Sequence, residues 1–70
     1  MNAAELRAEI FRKGLSVPRL AELMKISKKR LYSRINGDSS FTQSEITSIA
    51  NILGLNGERI LDIFFGEKVS

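Results

Sequence analysis

The stretch Ser16–Gly37, SVPRLAELMKISKKRLYSRING, decides how the chain is read. Ser16 is a helix N-cap, and Pro18 is tolerated in the first turn because the N–H groups there have no intrahelical partner. Pro18 has no N–H to offer, so the Ser16 hydroxyl is expected to accept from Arg19. Val17, Leu20, Leu23 and Met24 form the expected buried face of a helix of about eight residues. Ser27 caps a following short helix on which Leu31 and Ile35 point inward, and which ends near Asn36–Gly37. Between the two lies only Lys25-Ile26-Ser27. A turn this short does not permit antiparallel packing, so the helices are expected to cross steeply. Ala21 is small where the second helix must approach, Ile26 plugs the turn, and Leu31 reaches back into the core.

This is the layout of a helix-turn-helix (16–37), whose second helix enters the major groove of DNA. The charge distribution agrees with it. Between Arg12 and Arg34 stand eight basic residues and one acid, Glu22, for +7, inside a chain whose net charge is only +3. Met1–Phe11 carries −1 and Ile35–Ser70 carries −3. A basic segment in an otherwise acidic chain marks a face for a polyanion. Lys28, Lys29 and Arg30 also occupy the first turn of the second helix, the positive end of its dipole, where each cation costs roughly 0.3–1 kcal/mol at low salt. Folding alone favours Asp or Glu there. Violations of local rules concentrate at functional sites.

Outward from this core the pattern stays helical, without alternation of period two. Ala3, Leu6 and Ile10 form one stripe of a first helix stopped by Gly14, after the basic pair Arg12–Lys13. Thr42-Gln43-Ser44-Glu45 is a capping box opening a fourth helix, with Ile46, Ile49, Ala50 and Leu53 inward and Gly54 as its stop. Asn56 caps a fifth helix running to about Phe65, before Gly66. The expectation is one all-α domain of five short helices spanning 1–70.

Composition excludes several functions. Among 70 residues there is no Cys and no His, which removes disulfides, the usual zinc sites and imidazole or thiolate catalysis. Glu5/Glu9 and Glu58/Asp62 are i,i+4 pairs that read as solvating charges, and the glycines are scattered stops rather than a phosphate loop. We expect no enzyme, no metal and no cofactor. No apolar run approaches the ~18 residues of a membrane span. Met1–Leu6 lacks the basic start and apolar stretch of a signal peptide, so the cytoplasm is the expected compartment.

The segment LSVPRLAELMKISKKRLYSRINGDSSFT resembles phage-repressor and Cro-like (XRE-type) helix-turn-helix domains. The likeness falls on Leu20-Ala21, Ile26-Ser27, Leu31 and Asn36-Gly37, and FTQSEITSIANILGL continues it, so it covers nearly the whole chain. The tail ILDIFF looks like regulators from prophages and mobile elements of low-GC Gram-positive bacteria. The resemblance implies a lambda-repressor-like arrangement and a regulator of transcription. Two positions depart from the family. Where relatives usually have a turn Gly this chain has Lys25, which implies a positive φ there with about 1 kcal/mol of strain. Where many relatives pair a helix-one Arg with an acid at the end of the recognition helix, this chain has Ile10 and Ile35, which implies an apolar contact.

With Leu31 inward and 100° per residue, Lys29, Tyr32, Ser33 and Asn36 face outward and Lys28 projects from the tip. The expected base contacts are Lys28, Lys29, Tyr32 and Ser33; lysine donates to guanine O6 and N7, and Ser serves either base type. Tyr32 has two further options, a phosphate bond or packing beside the preceding helix. Arg30 and Arg34 lie off the outward face, to meet phosphates or to shield acids of their own fold. Other phosphate contacts are expected from Val17 N–H, Arg19, Asn36, Thr42 and Gln43. On the fifth helix Ile60, Ile63 and Phe64 face the core while Leu61 and Phe65 lie on another side, extended by Ile52 and Leu55. That second patch is covered either by Gly66–Ser70 or by a second copy in a symmetric homodimer.

The reading is therefore a double-stranded-DNA-binding regulator on a pseudo-palindromic operator, with no small-molecule ligand because 70 residues leave no room for a sensor domain. The other class is a protein-binding anti-repressor or antitoxin-type module, which has little need of cations at a helix tip. RNA is disfavoured: one Tyr in the basic region makes no stacking platform.

Overall fold

Why the chain forms separate short helices, rather than a few long ones, is visible in its caps. A computed structural model describes residues 1–66. Its elements are α1 (Ala3–Arg12), α2 (Val17–Met24), α3 (Lys28–Asn36), α4 (Gln43–Leu53) and α5 (Gly57–Phe64). Each begins at a side chain that accepts from the backbone of its own first turn. Ser16 Oγ takes the Arg19 N–H at 3.2 Å and Ser27 Oγ takes the Arg30 N–H at 3.0 Å. Asn56 Oδ1 takes the Arg59 N–H at 2.8 Å. The capping box at α4 is complete: Thr42 Oγ1 accepts from Glu45 N–H at 3.2 Å, and Thr42 N–H donates to Glu45 Oε1 at 2.9 Å. Sequence reading did not assign the cap of α1. It is Asn2, whose Oδ1 accepts from Glu5 N–H at 3.1 Å and whose own N–H donates to Ile63 O at 2.7 Å. That bond ties the start of α1 to the end of α5.

The core draws two residues from each helix: Leu6 and Ile10, Leu20 and Ala21, Leu31 and Ile35, Ile49 and Leu53, Ile63 and Phe64. Phe41, in the α3–α4 connection, meets Phe64 edge to face at 5.3 Å between ring centres. Ile10 and Ile35, at the places where many of the repressor-like domains it resembles have an ion pair, stand buried in this same cluster. Full burial of such a side chain contributes about 1.5–3 kcal/mol, a large share of the stability of a domain this small.

One expectation fails. Leu23, placed on the buried face of α2, is 40% exposed. The stripe turned inward is Val17, Leu20, Ala21 and Met24, spaced i, i+3, i+4, i+7, and Leu23 lies beyond its edge. Ala21, with nearly no side chain to clear, is 1% exposed and lets neighbouring helices close over it.

α2 and α3 are in contact and joined by Lys25–Ser27 alone. The turn reverses through a left-handed residue, Lys25, at φ 63°. It allows the Lys25 and Ile26 N–H groups to close onto the Glu22 and Ala21 carbonyls at 3.1 and 3.0 Å. Gly37 does the same for the end of α3 at φ 90°, but without a Cβ to crowd the following carbonyl. Lys25→Gly is therefore expected to raise stability by about 1 kcal/mol, or roughly 4–8 °C in thermal midpoint. A midpoint that stays put or falls means that the left-handed lysine carries no net strain.

Candidate nucleic-acid interface

Among the described residues five of the six arginines sit in ion pairs, and the pairing redistributes the basic segment. Arg12 meets Glu9 at 3.0 Å and Arg19 meets Glu22 at 2.6 Å, both across one helical turn. Arg59 gathers Glu5 and Glu9 of α1 at 2.7 and 2.8 Å, fastening α5 to α1. The Lys13 ammonium lies beside Gly54, at the negative end of α4. The four lysines of the basic segment, Lys13, Lys25, Lys28 and Lys29, make no ion pair among the described residues, and all are exposed. Leaving aside Lys13 at the end of α4, three remain. They cluster around the α2–α3 turn and the first turn of α3.

The remaining pairing centres on Glu45, the one buried charged residue among those described, at 6% exposure. Its Oε1 accepts from Arg34 Nε at 2.8 Å and from the Thr42 N–H. Its Oε2 accepts from Arg30 Nε at 3.1 Å and Arg34 Nη2 at 3.3 Å. Arg34 Nη1 donates to Ser39 Oγ at 2.6 Å, and Ser39 Oγ lies 3.1 Å from Ser33 Oγ. Burial pushes the Glu45 carboxyl upward. The hydrogen bond from Arg34, the Thr42 N–H and the two guanidinium charges outweigh it and hold the carboxyl below its ordinary range. At Glu9 the hydrogen bond from Arg59 is the largest influence and, with Arg12, also leaves the carboxyl lowered against desolvation.

Lys28 and Lys29 are exposed at the tip of α3, and Tyr32 is 38% exposed. Ser33 is half-buried and engaged with Ser39. Asn36, Thr42 and Gln43 are exposed, Val17 is half-buried, and Arg19 is exposed in its pair with Glu22. Of the two roles open to Arg30 and Arg34, shielding an acid is the one seen. Arg34 is largely consumed by it, with a side chain 14% exposed, whereas that of Arg30 stays 52% exposed. Two open clefts flank the first turn of α3. One of about 510 Å³ joins Arg19 and Pro18 to Lys28, and one of about 320 Å³ joins Arg30 to Thr42 and Ser44. Sequence reading saw Glu45 only as a capping residue. Its place between two arginines of α3 is tertiary, and the one signal for it was the presence of Arg30 and Arg34 four residues apart on one face.

A second feature lies elsewhere. Phe41, Ile46, Ala50, Leu55, Ile60 and Phe65 line an open apolar groove of about 620 Å³ between α4 and α5. Leu61 and Phe65 are each 59% exposed, on the side of α5 away from buried Ile63. Of the expected cover 66–70, residues 67–70 lie outside the described residues. Among the described residues no helix is long and apolar enough to cross a membrane, and no cluster of three metal-binding side chains occurs.

No family model, curated protein or solved structure matches the chain.

The lowered carboxyls set an acid limit. A carboxyl depressed by folding contributes stability above its unfolded value, near 4.5, and loses it as pH falls through the folded value. Thermal midpoints are therefore expected to drop below about pH 4.5. Glu45→Gln, which keeps the capping acceptor but not the charge, is expected to be less stable at pH 7 and to converge on the parent in acid. A constant gap between the two from pH 7 to pH 3 would show that the Glu45 charge contributes nothing.

Proposed function

We propose that the chain is a sequence-specific double-stranded-DNA-binding regulator of transcription, of the repressor or Cro-like kind that its sequence resembles, acting in the cytoplasm by binding rather than by catalysis. The observation that carries this is the isolation of Lys25, Lys28 and Lys29. A fold that pairs nearly every described arginine with a carboxylate leaves Lys28 and Lys29 bare at the positive end of α3, and Lys25 bare on the turn before it. Lys28 and Lys29 stand against the α3 dipole, like charges crowd the turn, and a polyanion relieves that cost. Two adjacent helices joined by three residues, the second with an exposed outer face, are compatible with entry of α3 into a major groove. Lys28, Lys29, Tyr32 and Ser33 then meet base edges. Arg19, Arg30, Asn36, Thr42, Gln43 and the Val17 N–H meet phosphates.

One short helix reads few base pairs, and the exposed apolar face of α5 supports a symmetric homodimer through Leu55, Leu61 and Phe65. Two copies about 34–36 Å apart fit a pseudo-palindromic operator.

Selection from random duplex DNA supplies the operator and tests the reading. Log K is expected to fall against log salt with a slope between roughly −5 and −9, for about six to ten phosphates in a dimer. Lys29→Ala is expected to lose about 1–3 kcal/mol at particular base pairs, and Arg19→Ala to weaken all sequences alike. Selection of no sequence, or an affinity indifferent to salt, overturns the reading. Phe65→Asp, followed by sedimentation equilibrium with and without operator, is expected to stay monomeric on DNA and to lose most of the affinity. Two copies bound as tightly as the parent would place the dimer contact elsewhere.

A further inference from the structure

Arg30 and Arg34 share one carboxylate but use it differently. Arg34 commits Nε and both Nη atoms to Glu45 and Ser39. Arg30 commits only Nε, at 3.1 Å to Glu45 Oε2, and neither of its Nη atoms makes a hydrogen bond among the described residues. Its guanidinium is thus gripped by one edge while its end, two parallel N–H groups, stays free on a side chain 52% exposed. That free end matches two oxygens of a phosphate. It stands in the first turn of α3 beside bare Lys28 and Lys29, and shares a cleft with Thr42.

A free arginine loses rotamer freedom when it binds; one already held does not, which is the general advantage of preorganisation. We infer that Glu45 is a positioning residue for DNA: through Oε2 it holds Arg30 so that the Nη1/Nη2 end receives a backbone phosphate flanking the bases read by α3. This rests on the DNA-binding reading above. The charge is not needed for the cap, since Gln serves equally in a capping box. Nor does simple electrostatics account for it, because an anion close to a DNA-facing turn opposes binding. The sign of the effect therefore separates positioning from plain charge: positioning predicts that neutralising Glu45 weakens binding, and charge alone predicts that it strengthens it.

The test uses the full chain, the operator selected with it, and four proteins: parent, Glu45→Gln, Arg30→Ala and the double variant. Helicity is checked at the assay temperature. Glu45→Gln is expected to bind roughly tenfold more weakly and to lose about one from the magnitude of the salt slope. Arg30→Ala is expected to do the same, and the double variant to be no weaker than Arg30→Ala alone. If Glu45→Gln binds as tightly as the parent or tighter, or if the two losses multiply, the positioning role is overturned. Should Glu45→Gln not fold, Arg30→Lys carries the test, since Glu45 keeps Arg34. Loss comparable to Arg30→Ala supports the guanidinium fork, and parental affinity overturns it. A parent that selects no duplex overturns the regulator reading and this inference together, whereas a binding parent with unaffected variants overturns the inference alone.

Discussion

The carboxylate of Glu45 closes the joint on which the second half of the molecule depends. It is nearly out of water, and an unpaired charge in that position is expensive: removing one partner of a buried pair costs about 3–5 kcal/mol. The chain meets the requirement from three directions, with Arg34 and Arg30 of α3 and the Thr42 N–H at the start of α4. Arg34 extends the joint to Ser39, so the α3–α4 connection is held as well. α3 is therefore seated by apolar contacts of Leu31 and Ile35 on one side and by a charged bracket on the other.

A second bracket fastens the other end. Arg59 reaches from α5 to Glu5 and Glu9, and Asn2 bonds the carbonyl of Ile63. These contacts are more exposed than those of Glu45, so solvent screens them and each contributes little alone. Their role is geometric. With α1 and α5 held together, Ile63 and Phe64 turn into the core, and Leu61 and Phe65 are left facing outward.

Pairing also sharpens the charge pattern. Eight cations spread over Arg12–Arg34 amount to a diffuse basic segment in one dimension. In three dimensions the arginines neutralise carboxylates, Lys13 rests against the end of α4, and what is left of the segment's charge without a partner among the described residues contracts to three lysines around one turn. The arginines are suited to the paired role because their planar fork satisfies a carboxylate through several bonds. Lysine, a compact and strongly hydrated charge, is more at home in water.

By itself the sequence determined the number of helices and nearly every cap and stop, because these depend on neighbours three or four residues away; the left-handed turn at Lys25 was implied only by the family resemblance. It also determined which side of α5 faces inward, since helical periodicity alone separates Ile60, Ile63 and Phe64 from Leu61 and Phe65. The tertiary structure decided what periodicity cannot. Leu23 fell outside the buried stripe because the edge of that stripe is set by the helices packed on α2. Ser33, outward by rotation, was drawn toward Ser39 by a connection whose path no local rule specifies. Arg30 and Arg34 look alike on the same helix, yet Arg34 commits its whole guanidinium to Glu45 and Ser39 while Arg30 commits Nε alone to a carboxylate fifteen residues away. Local hydrogen bonds and periodicity are written along the chain, but the partner of a charge is written only in the way the helices meet.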